Sequence, residues 1–499
     1  MTPIDTAWLR MDRPNNLMMI VGILALQGPV NLDLLEQVLG ERIAAIPRFR
    51  CKVEKESNGF LWVEDTHFSL ENHIRRIRLP GEAGQDELQR LVSDLASEPL
   101  NWARPLWQFH IVEQYQGGAA IVMRIHHAIG DGISLVAKFL DLADPPEGVE
   151  AWRADPQSED DDAIGHGSTV LGRTAQRALG LSEAFWKSSI EYSGILWKAY
   201  LTMLSHPGKI LDLAGKGTGV TQELARLLTM SEDSRTRFKA IPSGRKRLAW
   251  SQPLALADIK AISHARHCSV NDLMLAAVTG ALRRYLEDKG DPTDGVEVRA
   301  VVPVNLRPPG TKPRLGNWFG LIAVELPVGI IDPQARLDEI GRRMAALKGS
   351  YEPIVTLGVM AALGAAPKMV QDKLADFLLG RMTAVMTNVP GPKNPIHLAG
   401  ARWRQAMFWV PQSGNVGMGV SILSFDGHIQ FGLSCDVAVV PDPEQVVAHF
   451  ESEVEAYVYL TLLEGESVPV AETPLLEDPP QAPRRPRRAP ARRKAAAKG

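Results

Sequence analysis

His126-His127-Ala128-Ile129-Gly130-Asp131-Gly132 follows an apolar run, Ala119 to Ile125 (AAIVMRI), and precedes Ile133-Ser134-Leu135-Val136-Ala137-Lys138-Phe139-Leu140. The run before it reads as a buried strand, and the segment after it, apolar at helical spacing, as a helix. A strand that ends in two histidines sets an imidazole at a sheet edge, where a substrate can reach it. Gly130 and Gly132 around Asp131 predict a tight bend with a fixed carboxylate. That arrangement suits a general base held by a rigid frame. By residue type alone, an ordinary core or surface histidine is the competing reading. Adjacent residues of an extended chain point to opposite faces, so the two histidines are not expected to chelate one metal.

The rest of the chain sets bounds on what that turn serves. At 499 residues there is enough chain to bury a large core in two or three domains. The three cysteines, Cys51, Cys268 and Cys435, form no CxxC pair, which argues against a zinc or disulfide framework and for a reducing compartment. The 12 histidines are dispersed without an HExxH, so no metal site is expected, and no glycine-rich phosphate loop indicates a nucleotide cofactor. The first residues lack a basic segment followed by an apolar one. The longest apolar runs, Leu17 to Leu26 and Ile354 to Ala366, fall short of the roughly 18 residues a span needs. The expectation is a cytoplasmic protein, with a membrane surface as a place of recruitment.

Charge is uneven. Eight of the 55 Lys and Arg lie between Arg484 and Gly499 with no acid among them, which leaves 47 basic against 58 acidic residues elsewhere. The Pro-, Ala- and Arg-rich tail, 466–499, reads as disordered. It suits an anionic lipid surface or a solubilising end; nucleic-acid binding is not expected as the main function.

Along the chain, residues 1–145 alternate strand-like and helix-like patterns and form a first half. Residues 146–244 read as an acidic and helical linker: Pro145, Pro146, Pro156 and Glu159-Asp160-Asp161-Asp162 open it, and Trp186, Ile190, Trp197, Tyr200, Leu201 and Leu204 recur at three- and four-residue steps. That stripe is either a helix packed on the body or an interfacial helix that meets lipid. Residues 245–465 form a second half. It has strands near Val296–Val304, Leu321–Leu326, Val420–Leu423 and Ile429–Leu433, and a hairpin turn at Asp426-Gly427. Helices are expected near Asp332–Leu347, Lys373–Leu379 and Pro443–Leu462. Strands separated by helices in both halves give an α/β class with mixed sheets.

The motif resembles HHxxxDG, the signature of acyltransferases with a chloramphenicol-acetyltransferase-like fold. Further segments resemble one branch of that group, the bacterial wax ester synthase / diacylglycerol acyltransferase family. They are Pro3-Ile4-Asp5 through Trp8-Leu9 to Arg13-Pro14-Asn15-Asn16-Leu17-Met18, Pro47-Arg48-Phe49-Arg50, Phe68-Ser69-Leu70 and His73-Ile74-Arg75-Arg76. Pro99-Leu100, Arg104-Pro105-Leu106-Trp107, Asn271-Asp272-Leu273-Met274-Leu275-Ala276 and Pro303-Val304-Asn305-Leu306-Arg307 follow. Gly316-Asn317, Thr387-Asn388-Val389-Pro390-Gly391-Pro392, Phe431-Gly432-Leu433 and Val440-Pro441-Asp442 complete the series, in the family's order.

The resemblance implies two chloramphenicol-acetyltransferase-like halves joined by a mostly helical linker, with one active site between them. It also implies transfer of an acyl group from acyl-CoA to diacylglycerol, giving triacylglycerol, or to a long-chain fatty alcohol, giving a wax ester. No cofactor is implied, because acyl-CoA is a substrate. The expected partners are these substrates and a peripheral membrane or lipid-inclusion surface. A condensation-type enzyme with another alcohol or an amine as acceptor, and a non-catalytic lipid-surface scaffold, are the alternatives. By resemblance His127 is the general base, and His126 supports the turn or helps orient the substrate. Asp131 either orients His127 or makes a structural salt bridge, with Arg307 as the candidate partner. Gly132 allows close packing. Asn271 is either an oxyanion donor or the N-cap of a helix from Asp272 to Tyr285. Pro105, Leu106 and Trp107 either line an acyl pocket or pack the core.

Overall fold

The computed structural model describes residues 1–56, 59–144, 223–307 apart from 224 and 228, 315–347, 350 and 352–465. The acidic run, the Trp186–Leu204 stripe and the basic tail lie outside the described residues. From the N-terminus the chain forms α1 (Pro3–Met11), β1 (Met19–Leu26), α2 (Leu32–Ala44), β2 (Cys51–Glu56), β3 (Gly59–Glu64), β4 (Ile74–Ile77), α3 (Gln85–Ser97), β5 (Trp107–Tyr115), β6 (Gly118–His126) and α4 (Gly132–Asp141). The later stretch supplies β7 (Lys246–Trp250), β8 (Leu254–Ala255), α5 (Leu256–Ala265), α6 (Val270–Asp288), β9 (Val298–Asn305), β10 (Phe319–Leu326), α7 (Pro333–Leu347), α8 (Glu352–Ala365) and α9 (Lys368–Leu379). It ends with β11 (Ala384–Pro390), β12 (His397–Leu398), β13 (Ala401–Trp409), β14 (Met418–Phe425), β15 (His428–Asp436) and α10 (Pro443–Gly465).

Two large mixed sheets result, with the order β12-β13-β1-β6-β5-β4 in the first and β10-β9-β11-β14-β15-β7 in the second. The central strands of the first are apolar without alternation because both faces are covered: all eight residues of β1 are buried. The hairpin between β14 and β15 turns on Asp426 (φ 45°) and Gly427 (φ 75°), the two left-handed residues a two-residue turn requires.

The halves are not separate in the sheets. β13, from the second half, pairs antiparallel with β1 in a register that sets Val21 opposite Trp409 and Ile23 opposite Met407. Such a strand exchange is invisible to a reading along the chain, because β13 carries the same apolar pattern whichever sheet it joins. The seam behind it is aromatic: the Trp250 and Trp409 rings lie 5.4 Å apart. α3 also crosses the seam. The Ser93 and Ser97 hydroxyls accept the Leu248 and Lys246 N–H at 2.9 and 2.8 Å.

Two further features position the site. β9 and β11 pair only at Ala384/Ala300 and Val385/Val301. Beyond that point the sheet parts, and β9 passes from buried to half-buried over Val302–Asn305. Near the other edge, α1 lies directly against α8. Gly364 makes this approach possible, since a Cβ there would collide with the Pro3 carbonyl.

Candidate active site

β6 delivers the two histidines to the end of the first sheet. His126 still sits opposite Met19 of β1, and the His127 N–H donates to the Met18 carbonyl at 2.8 Å. Helix α4 then begins with Asp131 as its N-cap, where Oδ1 accepts the Ser134 N–H at 2.9 Å. The bend itself differs from expectation. Neither Gly130 nor Gly132 adopts a positive φ; the left-handed glycine of the site is Gly316, at φ 133°. Close packing belongs to Gly130 rather than Gly132. A Cβ at Gly130 would meet Ser134 Oγ at 2.6 Å and Leu315 Cδ2 at 3.2 Å, whereas one at Gly132 would touch Phe408 at an ordinary 3.6 Å.

Asp131 is fully engaged in holding the turn. Its Oδ2 accepts the Trp318 N–H at 2.9 Å and pairs with Arg307 Nη2 at 2.8 Å, both side chains being at most 5% exposed. The Gly316 carbonyl accepts from Arg307 Nη2 at 3.0 Å and from the Asp131 N–H at 3.3 Å. Of the two roles open to Asp131, this geometry supports the brace: a buried carboxylate needs such partners, and all of them come from the turn or from the 307–318 segment.

His127 is buried, 4% exposed. Its ring stacks on Trp8 with centroids 4.0 Å apart and planes at 23°, and Phe319 flanks it at 5.8 Å. Its carbonyl accepts from Asn317 Nδ2 at 3.0 Å, and the same nitrogen donates to Asp5 Oδ1 at 2.9 Å. Burial pushes the imidazole down to about 4, against the opposing field of Asp131. His127 is therefore neutral at pH 7, the state a proton acceptor needs. Burial raises the Asp5 carboxyl above its ordinary range, although Asn317 and Thr2 hydrogen-bond to it.

His126 faces the other way. Its Nδ1 accepts the Ala128 N–H at 3.1 Å, Trp102 meets its ring edge-on at 5.9 Å, and its Nε2 lies 3.8 Å from Asp12 Oδ2. Its backbone N–H donates to the Leu106 carbonyl at 2.9 Å, so the Pro105-Leu106-Trp107 triplet braces the histidine strand. All three are buried. The Trp107 indole N–H donates to the Phe49 carbonyl at 2.7 Å, and its ring stacks on His73 at 4.4 Å. Between the two readings of the triplet, these contacts describe core packing.

Asn271 does not cap its helix. α6 starts two residues earlier than expected, at Val270, and Ser269 is the N-cap: its Oγ accepts the Asp272 N–H at 3.1 Å while Asp272 Oδ2 accepts the Ser269 N–H at 3.2 Å. This reciprocal box satisfies two helix-end donors, which a single Asn cannot do. Asn271 sits in the first turn, and its Oδ1 accepts from Asn388 Nδ2 at 3.0 Å. Asn388 lies on β11 beyond the point where the sheet parts. Among the described residues no hydrogen bond joins Asn271 to His127.

The structure thus gathers His127, Asp131 and Arg307 and adds Asp5, Trp8, Asn317 and Trp318, which received no individual role from the sequence. Asp5, Trp8 and Asn317 do occur in segments that carry the family resemblance, and that is their only signal. The distance from Asp5 to Asn317 along the chain leaves no local pattern. Among the described residues no group of three His, Cys, Asp or Glu is placed to hold a metal ion.

Comparison with known proteins follows the same lines. Residues 1–274 match the wax ester synthase/diacylglycerol acyltransferase catalytic domain, and residues 315–457 the WS/DGAT C-terminal domain. A Mycobacterium tuberculosis H37Rv protein named as a probable diacylglycerol O-acyltransferase, tgs1, is 26% identical over 478 residues, covering 92% of this chain and 96% of the relative. The wax ester synthase/diacylglycerol acyltransferase from Marinobacter aquaeolei VT8 superposes with a TM-score of 0.64 at 20% identity, covering 92% of this chain and 99% of that one. The first condensation domain of the CDA synthetase superposes at 0.55 and 13% identity, covering 92% and 94%. The fold is therefore the one shared by these acyltransferases and condensation domains.

Proposed function

Because the chain belongs to the wax ester synthase/diacylglycerol acyltransferase family, whose members esterify an alcohol with an acyl group from acyl-CoA, we propose that His127 is the general base of that reaction and that no covalent acyl-enzyme forms. The observation that carries this reading is a neutral, buried imidazole clamped at its ring by Trp8 and at its backbone by Met18 and Asn317. A hydroxyl is a poor nucleophile near pH 7, so a base must take its proton as it attacks. The thioester is already activated and needs no enzyme nucleophile.

The alcohol oxygen attacks the thioester carbonyl while His127 Nε2 takes the hydroxyl proton. The tetrahedral intermediate collapses, the C–S bond breaks, and the imidazolium returns the proton to the CoA thiolate. Asn271 is the candidate donor to the oxyanion: Asn388 occupies its Oδ1, and among the described residues no hydrogen bond takes its Nδ2. Arg307 and Asp131 keep the turn rigid, and His126 holds it from the opposite face.

The acceptor in this reading is diacylglycerol or a long-chain alcohol, taken from a peripheral membrane or lipid-inclusion surface. Large apolar side chains exposed on α9, Met369, Val370 and Phe377, beside Lys368 and Lys373, support such contact.

The test is thiol release from palmitoyl-CoA by the purified protein with dioleoylglycerol, hexadecanol or no acceptor, with His127→Ala alongside. Release that depends on the acceptor and vanishes in the variant is expected, and the better acceptor identifies the main product. Undiminished turnover by His127→Ala would remove the base assignment.

A further inference from the structure

The ring of His127 has two aromatic neighbours. Trp8 stacks on it with centroids 4.0 Å apart and planes at 23°. Phe319 is tilted against both, 5.8 Å from the imidazole and 6.0 Å from the indole. Trp8 and His127 are both buried, at 8% and 4% exposure. The indole N–H is also buried and has no hydrogen-bond partner among the described residues, so what Trp8 offers His127 is its π-face. The helix that carries Trp8 is held from three directions. The Ala7 carbonyl accepts from Gln371 Nε2 at 3.1 Å, Arg10 Nη1 donates to the Ala366 carbonyl at 2.6 Å, and Asp5 Oδ1 accepts from Asn317 Nδ2 at 2.9 Å. These contacts fix the indole on the imidazole as a rigid surface.

We propose that Trp8 is a positioning residue that stabilises the imidazolium of His127: the electron-rich face of the indole attracts the charge the ring acquires when it takes the acceptor's proton. The inference rests on His127 being the base and goes beyond it by naming the group that meets the charge formed in the transition state. As the new C–O bond forms, the hydroxyl proton passes to the imidazole and a neutral ring becomes a cation. The proton leaves for the thiolate when the C–S bond breaks. A stack of two neutral rings is already present in the resting site, so it does not by itself accelerate the reaction. Only the attraction that appears with the charge does so. A cation within about 6 Å of an aromatic centroid is attracted by the ring quadrupole, most strongly where water is excluded, and tryptophan is the best of the aromatic partners. Burial creates the need, because it pushes the imidazole down to about 4 and so opposes the charge. The ionisable groups around the ring relieve this little. Asp131 favours the imidazolium but is engaged by Arg307 and the Trp318 N–H, His126 opposes it, and Asp5 on α1 feels Arg48. From β10 the neighbour is Phe319, which carries no charge.

The test replaces Trp8 with monofluoro-, difluoro- and tetrafluorotryptophan by stop-codon suppression, with Trp8→Phe, Trp8→Leu and His127→Ala alongside. Each protein is measured for the single-turnover rate of acyl transfer from palmitoyl-CoA to dioleoylglycerol or hexadecanol, whichever the wild type uses faster, for KM of palmitoyl-CoA and for thermal unfolding. Fluorine withdraws electrons from the π-face with little change of shape, and the indole N–H has no hydrogen bond to lose. The rate is expected to fall stepwise with added fluorine, to about one tenth in the tetrafluoro protein, with KM and the unfolding midpoint unchanged. Trp8→Leu, which removes the π-face, is expected to lose about 10-fold in rate, and Trp8→Phe less. A rate that stays flat across the fluorinated series, or a fall that only tracks the unfolding midpoint, overturns the proposal. If Trp8→Leu does not fold, the fluorinated series decides alone. His127→Ala separates the two levels: activity retained there refutes the base, while its loss together with a flat fluorinated series refutes only this inference.

Discussion

The guanidinium of Arg307 and the carboxylate of Asp131 meet at 2.8 Å with both side chains almost wholly buried, which ties the histidine turn of the first half to the end of β9 in the second. A buried pair of this kind adds little net stability over an apolar pair, yet breaking it strands a charge. Asp131→Ala also removes the α4 cap and the acceptor of the Trp318 N–H. Asp131→Ala and Arg307→Ala are each expected to lower the free energy of unfolding by about 3–5 kcal/mol in denaturant titrations. A wild-type midpoint and slope in Asp131→Ala would mean that the brace carries no weight.

Activity should persist well into acid. An unperturbed histidine base would lose function as pH falls through about 6.5, whereas burial lowers His127 to about 4. The acid limb of kcat/KM is expected below pH 6, and a limb centred at 6.5 would show that the resting site is hydrated.

Stability should follow the opposite trend over the same window. His110 is also pushed down to about 4, by burial and by Arg124 and Arg75. Unfolded, these imidazoles bind a proton near pH 6.5; folded, only near 4. Between those values the unfolded state holds more protons, so stability rises with pH and is lost as pH falls from about 6.5 toward 4. Unfolding midpoints measured from pH 7 to 4 are expected to drop, and His110→Gln should flatten that slope. An unchanged slope in the variant would exclude His110 as a contributor.

The two glycines of the turn should respond differently to alanine. Gly130→Ala forces its methyl against Ser134 Oγ, which is committed to the Asp131 carbonyl at 2.9 Å. It is expected to cost about 1–3 kcal/mol. Gly132→Ala meets only an ordinary contact with Phe408 at the start of a helix and should stay within about 0.5 kcal/mol of wild type. Equal losses in thermal unfolding would contradict the packing described.

Capping and chemistry separate at the start of α6. Ser269→Ala removes the cap and should cost about 1 kcal/mol. Asn271→Ala should leave unfolding nearly unchanged and reduce kcat, as loss of an oxyanion donor would. Stability loss in Asn271→Ala with intact kcat would return it to a structural role.

Much of the fold was legible in the residues because the local rules have short periods. Ala119 to Ile125 became part of β6, Ile133 to Leu140 part of α4, and Asp426-Gly427 the hairpin turn. In each case a run of two to ten neighbours settles the conformation. Boundaries moved where a cap decides them. The helix after Cys268 begins at Val270 because Ser269 and Asp272 satisfy each other's backbone, and the sequence shows that box only to a reading that weighs Ser269 against Asn271.

The sequence by itself determined the family, the strand–turn–helix that presents His127, and the chemistry an imidazole can perform there. Tertiary structure decided what each neighbour does. Asp131 faces Arg307 and Trp318, Trp8 covers the imidazole, and Asn317 reaches both Asp5 and the His127 carbonyl. Strand β13 joins the first sheet although it is made by the second half. The physical reason is range. Backbone propensity and apolar periodicity act over a few residues, while a buried carboxylate or amide takes its partners from whatever packing brings within 3 Å, here from segments more than 100 residues away along the chain.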